Sequence, residues 1–161
     1  MNPLADDVQQ NAEVCRNLYQ TWKQEDEVLD KELSRVVQWM KEVNQLGKPR
    51  FGETGARLKR FRNHLVDHFE RESHLADGLA KCYAPSSPEV AASRRQAEHD
   101  HRMLLSRLDD LIDRLMQWEP PFESWSAAMN EVDLFLVALE QHEDYEDENV
   151  RALLPTANPR G

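Results

Sequence analysis

Histidine and glutamate stand four residues apart twice in this chain, as His68 and Glu72 within HFERE and as His142 and Glu146 within HEDYE. On a helix, residues i and i+4 lie one above the other, so each pair offers an imidazole nitrogen beside a carboxylate oxygen. Such donors bind transition metals or move protons, and the face they occupy decides which. At about 100° per residue, Leu65, His68, Ala76 and Leu79 fall within about 40° of Glu72, and Phe135, Glu146 and Leu153 fall within the same arc of His142. Both pairs therefore point with the apolar stripes into a core. His101 joins them, because Leu104, Leu105 and Leu108 follow it at offsets of three, four and seven. His74 and His99 point outward on the same count. Between Trp22 and Leu29 the stripe of an earlier segment falls on Glu25 or Asp26, which sets a carboxylate among core side chains.

A buried, unpaired carboxylate is costly: idealised transfer of the ion out of water takes of order 20 kcal/mol, and several remain after relaxation. The inward stripes carry no Lys or Arg at these levels. One His-x-x-x-Glu pair is common in acidic helices and means little alone. Two pairs on inward faces, with an inward histidine on a third segment and an inward acid on a fourth, predict a bound cation. Iron, manganese and zinc all suit imidazole nitrogen and carboxylate oxygen.

Four periodic segments must position these donors. The first runs from about Asp7 to Gln45, with Cys15, Leu18, Trp22, Leu29, Leu33, Val36, Met40 and Val43 on its stripe. LGKPRFGETG ends it, since Gly47 suits a left-handed terminal position and Pro49 cannot continue a helix. The second spans about Ala56 to Tyr83 and turns Leu58, Phe61, Leu65, Phe69, Leu75 and Leu79 inward. After APSSP, where Ser87 can cap and Pro88 fits a first helical position, the third spans about Pro88 to Gln117. WEPPF separates it from the last, about Glu123 to Leu154. No alternating β-branched run is long enough for a sheet. The expected fold is all-α, an up-down-up-down four-helix bundle in one domain over residues 1–161, with the bundle at about 7–154 and a flexible tail at 155–161.

The balance of 20 Lys plus Arg against 30 Asp plus Glu gives a net charge of −10, which repels phosphate backbones and argues against nucleic-acid binding. The basic stretch Arg57 to Arg62 reads as a solvated helix start, and the acid run Glu140 to Glu148 as mostly solvated face around the inward pair. Cys15 and Cys82 lack metal-type spacing and read as buried thiols. Neither a signal-peptide pattern nor an apolar run of about 18 residues is present, so no membrane association and a cytoplasmic location are expected. Trp22, Trp39, Trp118 and Trp125 are expected in core and end packing.

LVDHFERES, EHDHRMLLSRL and LEQHEDYEDENVRALLP resemble the hemerythrin-like, or HHE cation-binding, family, and the resemblance extends over roughly Gln20 to Pro155. It maps the family's second-helix His-x-x-x-Glu onto His68 and Glu72. The fourth-helix histidine and acid map onto His142 with Glu146, or with Asp147 if the acid comes five residues later; Asp147 turns away from the stripe, so Glu146 is preferred. The resemblance implies two irons, oxo- or carboxylate-bridged, with Glu72 and Glu146 as bridges. Two departures stand out. The family's first-helix histidine is replaced by Glu25 or Asp26, and Asp26 fits best because Leu29 and Leu33 follow at the family's offsets. The third-helix His-x-x-x-His of the oxygen carriers has Ala97 one turn before His101, so one imidazole is missing unless His64 swings in from one turn before His68.

A site of three imidazoles and about three carboxylates favours ferric over ferrous iron. Reaction with O2, NO or peroxide, sensing of these ligands, or iron handling is therefore expected rather than reversible oxygen carriage. The competing expectation is a bundle with a degenerate or single-zinc site that serves as a protein-interaction scaffold. A ferritin-like ferroxidase fits less well, because its Glu-x-x-His spacing occurs near the stripe only as Glu98 with His101. The chain names no protein partner.

Overall fold

The computed structural model describes the backbone of residues 3–83 and 88–153, and within these the side chains of 13–14, 16–78 and 88–151. Four α-helices account for the chain's regular structure there: α1 Pro3–Gln45, α2 Phe51–Tyr83, α3 Pro88–Leu115 and α4 Trp125–Leu153. The connections at 46–50 and 116–124 are short, so sequential helices run antiparallel as neighbours. α1 packs on α2 and α4, α3 packs on the same two, and α2 touches α4 across the bundle. This is the expected four-helix bundle. No helix among the described residues is long and apolar enough to cross a membrane.

Helix ends differ from expectation where local bonding outweighs composition. α1 stops as predicted, with Gly47 at φ 71° and its amide donating to the Asn44 carbonyl at 3.2 Å. α2 begins at Phe51, ahead of the expected start at Ala56. There the Arg50 carbonyl accepts bonds from the Thr54 amide at 3.0 Å and from its hydroxyl at 2.8 Å. Phe51 stacks on Phe122 and meets Trp125 edge-on, which anchors that first turn despite Gly52 and Gly55. Gly55 has its own reason: a Cβ there would stand 2.5 Å from the Met116 sulfur, so α2 and α3 approach closely. α4 begins at Trp125 rather than Glu123, because the Ser124 hydroxyl caps it by accepting the Ala127 amide at 3.1 Å. α3 ends at Leu115, which leaves Trp118 in the following connection, 97% exposed and without the packing expected for it.

The stripes meet in two apolar blocks. The larger contains Leu33, Met40, Leu58, Phe61, Leu65, Leu108, Leu115, Val132 and Leu139, all without solvent exposure. The smaller gathers Leu18, Tyr19, Leu75 and Ala76 around Trp22 and Val150. Between the blocks every helix contributes polar side chains at one level. The expected tail at 155–161, the Ser87 cap, the thiols of Cys15 and Cys82, and the side chains of Leu79, Leu153 and Leu154 lie outside the described residues.

Candidate metal centre

Each donor is set by the stripe it interrupts. On α1, Asp26 falls four residues after Trp22 and three before Leu29. On α2, His68 and Glu72 fall between Leu65 and Leu75. On α3, His101 precedes Leu104, and on α4, His142 and Glu146 fall between Leu139 and Val150. All six are buried, His68 and Glu72 to 1% exposure. The bundle that hides the leucines hides these groups with them.

The buried donors form two clusters joined by one carboxylate. Glu72 Oε1 lies 2.7 Å from His68 Nε2, which lies 3.1 Å from Asp26 Oδ1. Glu72 Oε2 lies 3.2 Å from His101 Nε2, and Glu146 Oε1 stands 2.9 Å from both His101 Nε2 and His142 Nε2. Glu143 completes the His68 side: one donor atom each from Asp26, His68 and Glu143 falls within a 4.8 Å span, as do four from Glu72, His101, His142 and Glu146. Glu72 thus spans the two clusters, whereas Glu146 serves the imidazoles of one.

These contacts are short yet largely misaimed for hydrogen bonding. His68 Nε2, both Glu72 carboxylate oxygens, Asp26 Oδ1, His142 Nε2, Glu143 Oε1 and Glu146 Oε2 are buried without a hydrogen-bond partner. Buried polar groups are normally paired, and each orphan costs about 1–3 kcal/mol. Donors held at about 2.1 Å around a six-coordinate ion are separated by about 3.0 Å along each edge of the octahedron. The observed 2.7–3.2 Å spacings match those edges. Lone pairs that converge between donors, rather than on them, fit a metal ion, and the donor types fit iron, manganese or zinc.

Carboxylates stand behind two of the imidazoles without hydrogen-bonding them, and His142 Nδ1 is itself buried without a partner. Asp100 Oδ2 lies 3.4 Å from His142 Nδ1, and Glu25 Oε2 lies 3.8 Å from His68 Nδ1, each on the side away from the cluster. A carboxylate behind a ligating histidine holds its tautomer and raises its basicity. Phe69 stacks on His101 at 3.9 Å between ring centroids and meets His142 edge-on.

Charge within the layer is strongly coupled. Burial pushes the Asp26 carboxyl up to about 7, with the Glu72 charge adding to it and His68 opposing. Burial works against protonated His68 and His101, but the carboxylates around them prevail, Asp26 and Glu72 for the first and Glu146 and Glu72 for the second. They are held up to about 10 and about 9. Burial disfavours ionised Glu72, yet His101 and His68 together hold it well below the usual carboxylate range. Burial and the nearby charges of Asp26 and Asp30 push Glu143 up to about 11. Without a cation, protons hold this layer together.

Other expected donors stand elsewhere. His64 is exposed and bonds Glu32 at 2.6 Å on the outer wall of a groove between α1 and α2. Glu25 lines the same groove and pairs with Arg71 at 2.9 Å, so the first-helix acid in the layer is Asp26. Asp147 is buried but belongs to another network: Tyr19 donates to it at 2.7 Å, and Lys23 and Arg151 flank it. His74 and His99 are exposed. The run Glu140 to Glu148 is mostly solvated, with Glu140, Asp144 and Glu148 exposed, but beyond Glu146 it also buries Glu143 and Asp147, which are 5% exposed. α4 meets three other helices, so its buried face is wider than one narrow stripe. Leu136, buried two turns before Glu143, was the signal that could have found it.

A cavity of about 50 Å³ adjoins Glu72, His101 and Glu146, walled by Trp22, Ala76, Ala97, Tyr145, Asn149 and Val150. Ala97 leaves this space where a longer side chain would fill it. Set against known proteins, the chain matches no family model, no curated protein and no solved structure.

Proposed function

We propose that this chain is a hemerythrin-like, non-haem di-iron protein that senses or reacts with O2, NO or peroxide, or handles iron, rather than carrying O2 reversibly. The observation that carries this reading is the pair of buried donor clusters, spaced at coordination-edge distances and joined through Glu72. Asp26, His68 and Glu143 would hold one ion and His101, His142 and Glu146 the other, with Glu72 between them. The acidic balance suits work in the cytoplasm, and no helix among the described residues is long and apolar enough to cross a membrane.

Bound iron would supply the redox equivalents and an open position for a small ligand. The protein's own part is to orient and to exclude. Phe69 holds the His101 ring, and the Asp100 and Glu25 carboxylates stand 3.4 and 3.8 Å behind the outer nitrogens of His142 and His68. Trp22, Val150 and Leu75 close the layer from one end and the larger apolar block from the other. The cavity at Ala97 admits a molecule of few atoms beside His101 and Glu146. Carboxylates outnumber imidazoles, which favours the ferric state and disfavours reversible oxygenation.

Anaerobic iron loading followed by exposure to O2 tests this reading. Absorption typical of a bridged ferric pair is expected, and it should disappear in Glu72→Ala. An oxygenated adduct that forms and releases reversibly would contradict it. A second reading has its own support: Glu72, His101, His142 and Glu146 are four donors, the number a closed zinc site uses. On that reading the bundle holds one zinc and acts as an interaction scaffold, and iron loading gives no such absorption.

A further inference from the structure

The two clusters are chemically unlike. One gathers a single imidazole, His68, with carboxylates from Asp26, Glu143 and the Oε1 side of Glu72. The other gathers two imidazoles, His101 and His142, with Glu146 and the Oε2 side of Glu72. Behind the first lies more oxygen, since half-buried Asp30 stands close enough to Glu143 to help push its carboxyl up. Beside the second lies the aromatic face of Phe69, with the Asp100 carboxylate behind His142. Each half also keeps a buried donor with no protein partner, Glu143 Oε1 in one and His142 Nε2 in the other, so neither is completed by hydrogen bonds within the protein.

Every divalent site tends to prefer iron over manganese, but the margin depends on the donors. Imidazole nitrogen suits iron, whereas carboxylate oxygen suits manganese and magnesium. The oxygen-rich half therefore discriminates least against manganese, and the imidazole half discriminates most. Glu72 faces both halves and would hold the two ions side by side.

We infer that the centre sorts metals, with manganese(II) taken by the Asp26, His68 and Glu143 half and iron(II) by the His101, His142 and Glu146 half. This rests on the two-metal reading above and goes beyond it by making the halves inequivalent. Sorting turns on Glu143, whose carboxylate is the donor that makes one half oxygen-rich.

The test supplies metal-free protein, without oxygen, with one equivalent each of manganese(II) and iron(II). Metal content is measured, and each ion is located by anomalous scattering at its own absorption edge. The expected result is one of each per chain, manganese beside His68 and iron beside His101 and His142. Glu143→Gln should weaken manganese binding by at least the roughly 10- to 100-fold that substitution near a metal site produces, while iron beside His142 is retained. If that variant loses its helical circular dichroism, Asp30→Asn reads the same preference from the carboxylate that stands behind Glu143. Even mixing of the metals over both positions, manganese beside His142, or undiminished manganese binding in the variants overturns the sorting and leaves the two-metal reading intact. Protein that retains no metal in either half overturns both.

Discussion

Phe61 and Leu65 lie on the same stripe of α2 as His68 and Glu72, and all four are at most 1% exposed. The first two sit in a block of hydrocarbon, where burial stabilises by removing apolar surface from water. The second two sit one and two turns further on, where burial strands nitrogen and oxygen atoms without partners. The same helix, at the same depth, contributes stability in one region and loses it in the next. A bundle that needed only to fold would carry leucine through both. The polar layer is therefore a region where stability is given up for chemistry, and a cation would restore it.

The largest effect that separates the regions is expected in the apolar block. Phe61→Ala should lower unfolding free energy by about 3–5 kcal/mol in denaturant titration, through lost transfer energy and a cavity, while the folded fraction still binds metal. Next comes removal of the metal. At a free concentration of about a thousand times Kd, a bound ion stabilises by about 4 kcal/mol, so stripping it with a chelator should lower the Tm clearly. A Tm unchanged by stripping would erase the distinction between block and layer.

Acidity sharpens the comparison, because the block has no titratable groups and the layer has many. In the metal-free protein, Asp26, raised to about 7, and Glu143, raised to about 11, bind protons in the folded state that they release when unfolded. His68 and His101, held up to about 10 and about 9, do the same. The folded state thus binds more protons, and stability falls as pH rises, from about 4 through 7 for Asp26 and from about 6.5 through 10 for the histidines. Metal affinity runs the other way, rising with pH as protons leave the donors. Denaturant titrations across pH 5–9, with and without metal, should show slopes of opposite trend.

Smaller effects separate neighbours on α4. Asp147→Asn weakens the contacts with Tyr19, Lys23 and Arg151 and should cost about 1–2 kcal/mol while leaving metal content unchanged. Glu146→Gln should reduce metal content instead. His99→Ala, on an exposed face, should change neither metal content nor stability, and a loss equal to that of His142→Ala would show that α3 is turned differently.

The bundle and most of its donors were legible because helical spacing reports one face at a time. His68, Glu72, His101 and His142 each sit at three- or four-residue steps from leucines or phenylalanines, and Glu146 lies one turn past His142 and one before Val150. Asp26 was readable against Glu25 through Trp22 and Leu29. Glu143 was missed because a single stripe was drawn through His142, about 100° away from it on the helix. A helix packed by three neighbours buries a broader arc, and the seven-residue step from Leu136 marks its far edge. Asp100 and Phe69 were not legible as supports, since they act on rings of other helices and no spacing within one helix encodes that. The early start of α2 was hidden by two glycines, whose tolerance depends on Met116 and on the ring stack at Phe51.

Whether metal ions complete the polar layer is decided by elemental analysis of the full chain purified without added metal or chelator. Two ions per chain are expected, iron among them, lost together with the stability they confer when Glu72 is replaced by alanine. Protein that carries no metal, or one zinc that survives that replacement, would contradict it.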